Sequence, residues 1–105
     1  MSKVKTITFT ASTKTVPSPA KATPLSSTSI LCTEFEVEMA SGNSGSVFIG
    51  DENVNSTDYV ARAAGERWSF SADDLPGETR FFDLNKIYFT GTAGDSLKVQ
   101  YKRNT

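Results

Sequence analysis

A chain of 105 residues is long enough for one domain and too short for two independent cores, because single domains cluster near about 100–150 residues. It has no histidine and one cysteine, which excludes a histidine general base, a histidine-ligated metal and an internal disulfide. The formal net charge of −1 is not typical of a general nucleic-acid-binding protein, and no run approaches the roughly 18–20 apolar residues of a membrane span.

The first 29 residues differ in composition from the rest. Residues 3–10 alternate Ile7 and Phe9 with threonines, which predicts a strand. Residues 11–29 are rich in serine and threonine and hold three prolines within eight positions, so they favour an extended, polyproline-like conformation. We therefore divide the chain into an N-terminal strand and arm, residues 1–29, and a β-sandwich body, residues 30–105.

The body has the period-two pattern of β-strands. Glu34, Glu36 and Glu38 share one face of the first strand, at 30–39, and form an acidic, solvated ridge. Further strands are predicted at 46–50, 59–61, 66–71, 85–91 and 96–102, separated by glycine-rich or polar turns. The inward phase of these strands predicts one core, formed by Leu31, Phe35, Val37, Ile49, Trp68, Phe70, Ile87, Phe89, Leu97, Val99 and Tyr101. Without an amphipathic helix, the fold is predicted to be all-β, a small β-sandwich or jelly roll with an extended N-terminal arm.

The segment from Asp51 to Asp58 begins like a calcium-binding loop, because it offers several hard oxygen ligands within eight positions. An EF-hand loop that starts at Asp51 requires glycine where the chain has Ser56 and glutamate where it has Arg62. We therefore interpret this segment as a loop closed by Asx turns.

Other candidates for chemistry are weak. Asp73 and Asp74, together with Glu52, Asp83 or Asp95, could form a carboxylate pair for general acid–base catalysis, but any acidic protein offers such pairs by chance. The acidic strand beside Cys32 disfavours its thiolate. No phosphate-binding glycine motif or nucleophile elbow occurs. We expect no enzymatic activity, no catalytic residue, no metal and no organic cofactor.

Three stretches carry a resemblance to a known group: 46–54, 63–70 and 83–95, the last of which contains I-Y-F-T-G-T-A-G-D. Through them, residues 46–101 resemble small β-rich structural proteins of tailed bacteriophages and prophages. The resemblance implies a capsid decoration or cement protein, a structural virion component that binds the major capsid protein or other virion subunits. It also implies a homo-oligomer, with a trimer preferred, that is assembled in the host cytoplasm without a signal peptide and located in the capsid.

Two other functions stay open: a phage tail or fibre component, and a carbohydrate-binding module with exposed aromatic side chains. For a virion component, the extended arm predicts an anchor on neighbouring subunits, because prolines limit the entropy lost on binding and lysines attract acidic surfaces. The candidate partner-binding residues are Lys14, Pro17, Pro19, Lys21, Pro24 and Tyr88. Neither nucleic acid nor membrane is an expected partner.

Overall fold

A computed structural model describes residues 7–71 and 81–104, and the side chains of residues 9–71 and 81–102. Within these described residues, the chain forms ten strands and a short 3-10 helix, Leu84–Lys86. The strands are β1 (Ile7–Thr15), β2 (Thr23–Pro24), β3 (Leu31–Cys32), β4 (Glu34–Met39), β5 (Val47–Gly50), β6 (Ala61–Arg62), β7 (Arg67–Ser71), β8 (Phe82–Asp83), β9 (Tyr88–Gly91) and β10 (Ser96–Asn104).

Eight of these strands form two antiparallel four-stranded sheets. Sheet A has the order β1-β10-β4-β7 and sheet B the order β2-β9-β5-β6, while β3 and β8 pair in a separate ribbon. Numbered along the chain without the ribbon, the eight strands run 1-8-3-6 in one sheet and 2-7-4-5 in the other. This is the strand order of a jelly roll, a sandwich made of two Greek keys. The predicted all-β sandwich is confirmed.

The inward faces of the two sheets form one hydrophobic core. Six of the predicted core residues are buried: Phe35, Val37, Ile49, Phe89, Leu97 and Val99. Four others are half-buried and pack against that core: Trp68, Phe70, Ile87 and Tyr101. Stacking of Phe35 on Phe70, with ring centroids 4.5 Å apart, and edge contact of Phe35 with Phe82 at 5.1 Å extend the core into an aromatic cluster.

The prediction of Leu31 as a core residue is wrong, since the residue is 50% exposed. The chain bends at Thr33, so the predicted continuous strand at 30–39 is in fact two strands with different partners. β3 pairs with β8 and turns Cys32 inward, whereas β4 lies in sheet A and turns Phe35, Val37 and Met39 inward. The bend shifts the inward–outward alternation by one residue. Leu31 and Cys32 therefore face the opposite way from what an uninterrupted strand would give.

The proline-rich segment contributes two residues to the core. Val16 and Leu25 are both buried, and they pack in the same cluster as the residues of the two sheets. The Val16 N–H donates to the Asp95 carbonyl and the Leu25 N–H to the Ile87 carbonyl, each at 2.8 Å. Between them the Ser18–Pro19 peptide bond is cis. Part of the segment at 11–29 is therefore bound to the sandwich of its own chain.

Candidate interaction surfaces

The carboxylate of Asp95, at the end of the I-Y-F-T-G-T-A-G-D motif, fixes three segments together. Its Oδ1 accepts hydrogen bonds from the Ser44 N–H (2.9 Å) and hydroxyl (3.1 Å), and its Oδ2 accepts from the Gly45 N–H (2.8 Å). The carbonyl of the same residue accepts from the Val16 N–H. Asp95 thereby joins the end of β1, the loop before β5 and the turn between β9 and β10, which is a structural role for the motif.

The loop before β5 approaches the β9–β10 turn very closely. Asn43 exchanges two hydrogen bonds with the Ser96 backbone, at 2.8 and 2.9 Å. A Cβ atom at Gly45 would lie 2.5 Å from the Thr92 hydroxyl, and one at Gly91 would lie 2.8 Å from the Ser46 carbonyl oxygen. Packing therefore requires glycine at position 91, where the clash is with the backbone, whereas a side chain at position 45 would force Thr92 to move.

Asp95 predicts a pH-dependent stability. Its pKa lies below the ordinary value of 3.8, chiefly because the Ser44 N–H donates to the carboxylate, with the Gly45 N–H contributing. Since the folded-state pKa is below the unfolded one, the ionised group stabilises the fold above the unfolded pKa. This contribution is lost as the pH falls through the folded-state pKa. Asp95→Asn, which keeps the shape but removes the charge and one acceptor, should lower the melting temperature by several degrees at pH 7.

The measurement is denaturant unfolding of wild type and Asp95→Asn at several pH values from 7 down to about 3, a range set by the ordinary carboxyl pKa values. The pKa values of Glu38, Asp51 and Asp83 are also lowered, so the wild type loses stability in acid for several reasons. The difference in the free energy of unfolding between the two proteins reports on Asp95 alone. This difference should shrink as the pH falls. A difference that is the same at every pH would contradict the assignment.

Asp83 and Asn85 tie the proline-rich segment to the sandwich. Asp83 accepts hydrogen bonds from the Ser29 hydroxyl (2.8 Å) and the Ile30 N–H (3.2 Å), while it also caps the 3-10 helix by accepting from the Asn85 N–H. The amide of Asn85 donates to the carbonyl of Ser26 at 2.9 Å. These polar residues of the third resembling stretch have structural partners.

The loop from Asp51 to Asp58 is closed by Asx turns, and the interpretation of this segment from the sequence is confirmed. Asp51 Oδ1 accepts from the Asn53 N–H, and Asn55 Oδ1 accepts from the N–H groups of Thr57 and Asp58. The Tyr59 hydroxyl also donates to Asp51 Oδ1 at 2.7 Å and lowers the pKa of that carboxyl. Within residues 7–71 and 81–104, no three Asp, Glu or Cys side chains are grouped so that they could hold a metal ion.

The acidic ridge of β4 lies on the outer face of sheet A between two strands that carry basic residues. Arg67 Nε donates to Glu38 at 2.7 Å, and Lys102 Nζ lies 2.5 Å from Glu34. The third member, Glu36, accepts from the Ser69 hydroxyl at 2.9 Å. Each carboxylate of the ridge therefore has a partner within its own chain. These partners weaken the attraction of the ridge for the lysines in the N-terminal arm of a neighbouring subunit.

A groove of about 420 Å³ runs along this outer face. Its walls come from β4, β7 and β10 and are about equally polar and apolar. Phe9 on β1, which is 63% exposed, also lines it. The polar lining consists of Glu34, Glu36, Ser69, Ser71, Gln100 and Lys102. A groove of this volume falls within the range of small-molecule sites, roughly 300–1,000 Å³.

Two exposed apolar residues, Leu31 in β3 and Phe81 immediately before β8, lie at the β3–β8 ribbon. Cys32 and Phe82 face each other across the ribbon and turn inward, so their neighbours Leu31 and Phe81 share the outward face. Phe81 is 56% exposed. We call these two residues the ribbon patch. The sequence pattern predicts Leu31 in the core, because the bend at Thr33 has no clear signature in the sequence.

The predicted partner-binding residues do not form one cluster. Pro24 in β2 and Tyr88 in β9 are register partners and both are half-buried. Lys14, near the end of β1, and Pro17, just after that strand, are half-buried, whereas Pro19 and Lys21 are exposed. Their role in binding stays a prediction. Asp73 and Asp74, proposed above as part of a carboxylate pair, lie outside the described residues.

Comparison with known proteins adds no relative: no protein-family model and no curated protein sequence matches the chain. In the described ranges, no helix has the length and hydropathy needed to cross a membrane.

Proposed function

We propose that the protein is a non-enzymatic structural subunit of a tailed-bacteriophage virion, a capsid decoration protein that binds the outer surface of the capsid shell and stabilises it. The observation that carries this proposal is the ribbon patch, Leu31 and Phe81, which the fold leaves in solvent beside its aromatic cluster. The sequence resemblance of residues 46–101 supports it. The jelly-roll fold is compatible with it, because viral capsid proteins use this fold repeatedly.

The ribbon patch has the chemistry of an interface. Aromatic and large aliphatic side chains are enriched at the buried centres of protein interfaces, where a few of them contribute most of the binding free energy. Cys32 and Phe82 on the inward side of the ribbon pack into the aromatic cluster and core, so the patch rests on a rigid support. A rigid apolar pair loses little conformational entropy on binding.

Binding to particles tests the proposal. Purified protein is mixed with shells of the source phage that lack it, and co-sedimentation is measured for wild type and for a Leu31→Ser/Phe81→Ser double variant. We expect the wild type to bind and the double variant to lose at least tenfold in affinity, which corresponds to about 1.4 kcal/mol. Val60→Ser is the matched control, because Val60 is also an exposed aliphatic residue but lies elsewhere, before β6.

The outcomes separate the candidate functions. If the wild type binds tails but not shells, electron microscopy of labelled protein will show the label on the tail. The proposed function is then that of a tail component and not of a capsid decoration protein. If the double variant binds shells as well as the wild type does, the ribbon patch is not the contact. If the wild type binds no part of the particle, the proposal is wrong.

A second candidate, carbohydrate binding, is favoured by the groove on sheet A. An exposed aromatic ring, here Phe9, offers a flat apolar surface to a sugar ring, and the carboxylate, amide and hydroxyl groups of Glu36, Gln100 and Ser69 suit sugar hydroxyls. Titration calorimetry with a panel of soluble oligosaccharides tests it. Binding that Phe9→Ala abolishes and Phe81→Ala leaves intact would support this function, and the absence of binding across the panel would count against it.

A further inference from the structure

Strand β1 is a long open edge of sheet A. All nine of its residues pair with β10, in a register that runs without interruption from Ile7 opposite Asn104 to Thr15 opposite Ser96. Its other side has no neighbouring strand among the described residues, because β1 is the first strand of its sheet. One row of its backbone N–H and C=O groups therefore points to solvent, and such a row pairs readily with another extended chain.

The edge lacks the features that usually protect such strands. β1 contains no proline and one charged residue, Lys14, near its end. Residues 9–13 are all exposed, so neither face of this part of the strand is covered by the rest of the sandwich. The edges of sheet B, by contrast, are β2 and β6, two residues long each, and β2 ends in Pro24.

We propose that β1 pairs with β1 of a second copy of this chain, antiparallel across a two-fold axis at Ala11, so that the two A sheets form one continuous eight-stranded sheet. A contact of this kind is self-complementary, since each copy supplies the same nine-residue strand. The β7 edge at the other side of sheet A is five residues long and offers a shorter match.

The side-chain pattern of β1 suits this register. With Ala11 facing Ala11 of the second copy, Phe9 lies opposite Thr13 of that copy on the outer face. Phe9 is exposed in the single chain, and its register partner in β10 is Lys102. In the dimer the ring gains Thr13 of the second copy as a neighbour on its other side. Lys14 does not face a second lysine in this arrangement, so like charges do not oppose the pairing.

This inference deepens the proposed function and rests on it for its biological use, because it gives a homo-oligomer its contact surface. The two-fold pairing predicts a dimer, in place of the trimer that the resemblance favours. The contact itself depends only on β1 and not on the ribbon patch. Self-association and particle binding are therefore measured separately, and either one can fail alone.

The solution mass of the full chain, measured by sedimentation equilibrium over a range of concentrations, tests the pairing. We expect a dimer for the wild type and a monomer for Ala11→Lys, which places two lysines face to face at the two-fold axis. Gln100→Lys is the matched control, because Gln100 is the register partner of Ala11 in β10. This substitution adds the same positive charge one strand away from the edge. This variant should remain a dimer, and both variants should keep the wild-type circular dichroism, because both positions are exposed.

A cross-linking experiment tests the register directly. Cross-strand Cβ atoms lie about 4.5–5.5 Å apart, close enough for a disulfide after a small adjustment. Ala11→Cys should form a covalent dimer on mild oxidation, and Gln100→Cys should not. A monomeric wild type, a trimer, or a dimer that survives Ala11→Lys would each overturn the proposal. Loss of particle binding with the dimer intact would overturn the proposed function alone.

Discussion

Replacement of Phe89 by alanine will destabilise the fold by about 3–5 kcal/mol, the cost of removing a buried aromatic side chain and leaving a cavity. Phe89 is 1% exposed and lies in β9, between β2 and β5, with Thr23 and Ile49 as its register partners. Domains of this size are stable by about 5–15 kcal/mol, so the substitution removes a large part of the total. Urea unfolding followed by the fluorescence of the single tryptophan measures it.

Phe81→Ala is the control for this experiment, because it removes the same side chain from the exposed ribbon patch. It should cost less than about 1 kcal/mol. Equal losses for the two variants would contradict the placement of Phe89 at the centre of the core and of Phe81 at the surface.

Leu25→Ala will destabilise the fold by about 2–5 kcal/mol, although Leu25 lies in the proline-rich segment. Its side chain is completely buried, at 0% exposure, and its N–H donates to the Ile87 carbonyl. Because the surrounding residues come from several segments, they cannot all move to fill the space that the leucine leaves. The same urea titration measures the loss.

Leu31→Ala is the matched control, since the sequence pattern places Leu31 in the core and the structure places it at the surface. We expect a loss below about 1 kcal/mol. If Leu31→Ala were as costly as Leu25→Ala, the bend at Thr33 and the separate pairing of β3 would be wrong.

The candidate surfaces were only partly predictable. Alternation predicted that the glutamates of β4 face outward, and their outward position is observed. It did not predict that Arg67, Ser69 and Lys102 would be their partners, because cross-strand pairs depend on which strands become neighbours. The ribbon patch was missed for a similar reason, since the pairing of β3 with β8 changes the direction of Leu31.

The sequence by itself determined the fold class and most of the core. The glycine-rich turns between strands and the period-two alternation in β4, β7, β9 and β10 are local properties. They predict strands and their inward faces without knowledge of neighbours. That is why Phe35, Val37, Phe89, Leu97 and Val99 were assigned correctly.

Only the tertiary structure decided which strands are neighbours, and with that the jelly-roll order, the open edge at β1 and the burial of Val16 and Leu25. Proline at 11–29 favours an extended backbone but does not determine what that backbone packs against. The position of the segment therefore depends on distant contacts such as those of Asp83, Asn85 and Asp95. A strand becomes an edge, and a loop residue becomes a core residue, through pairing and packing between segments far apart in the chain. These interactions are not encoded in the periodicity of either segment alone.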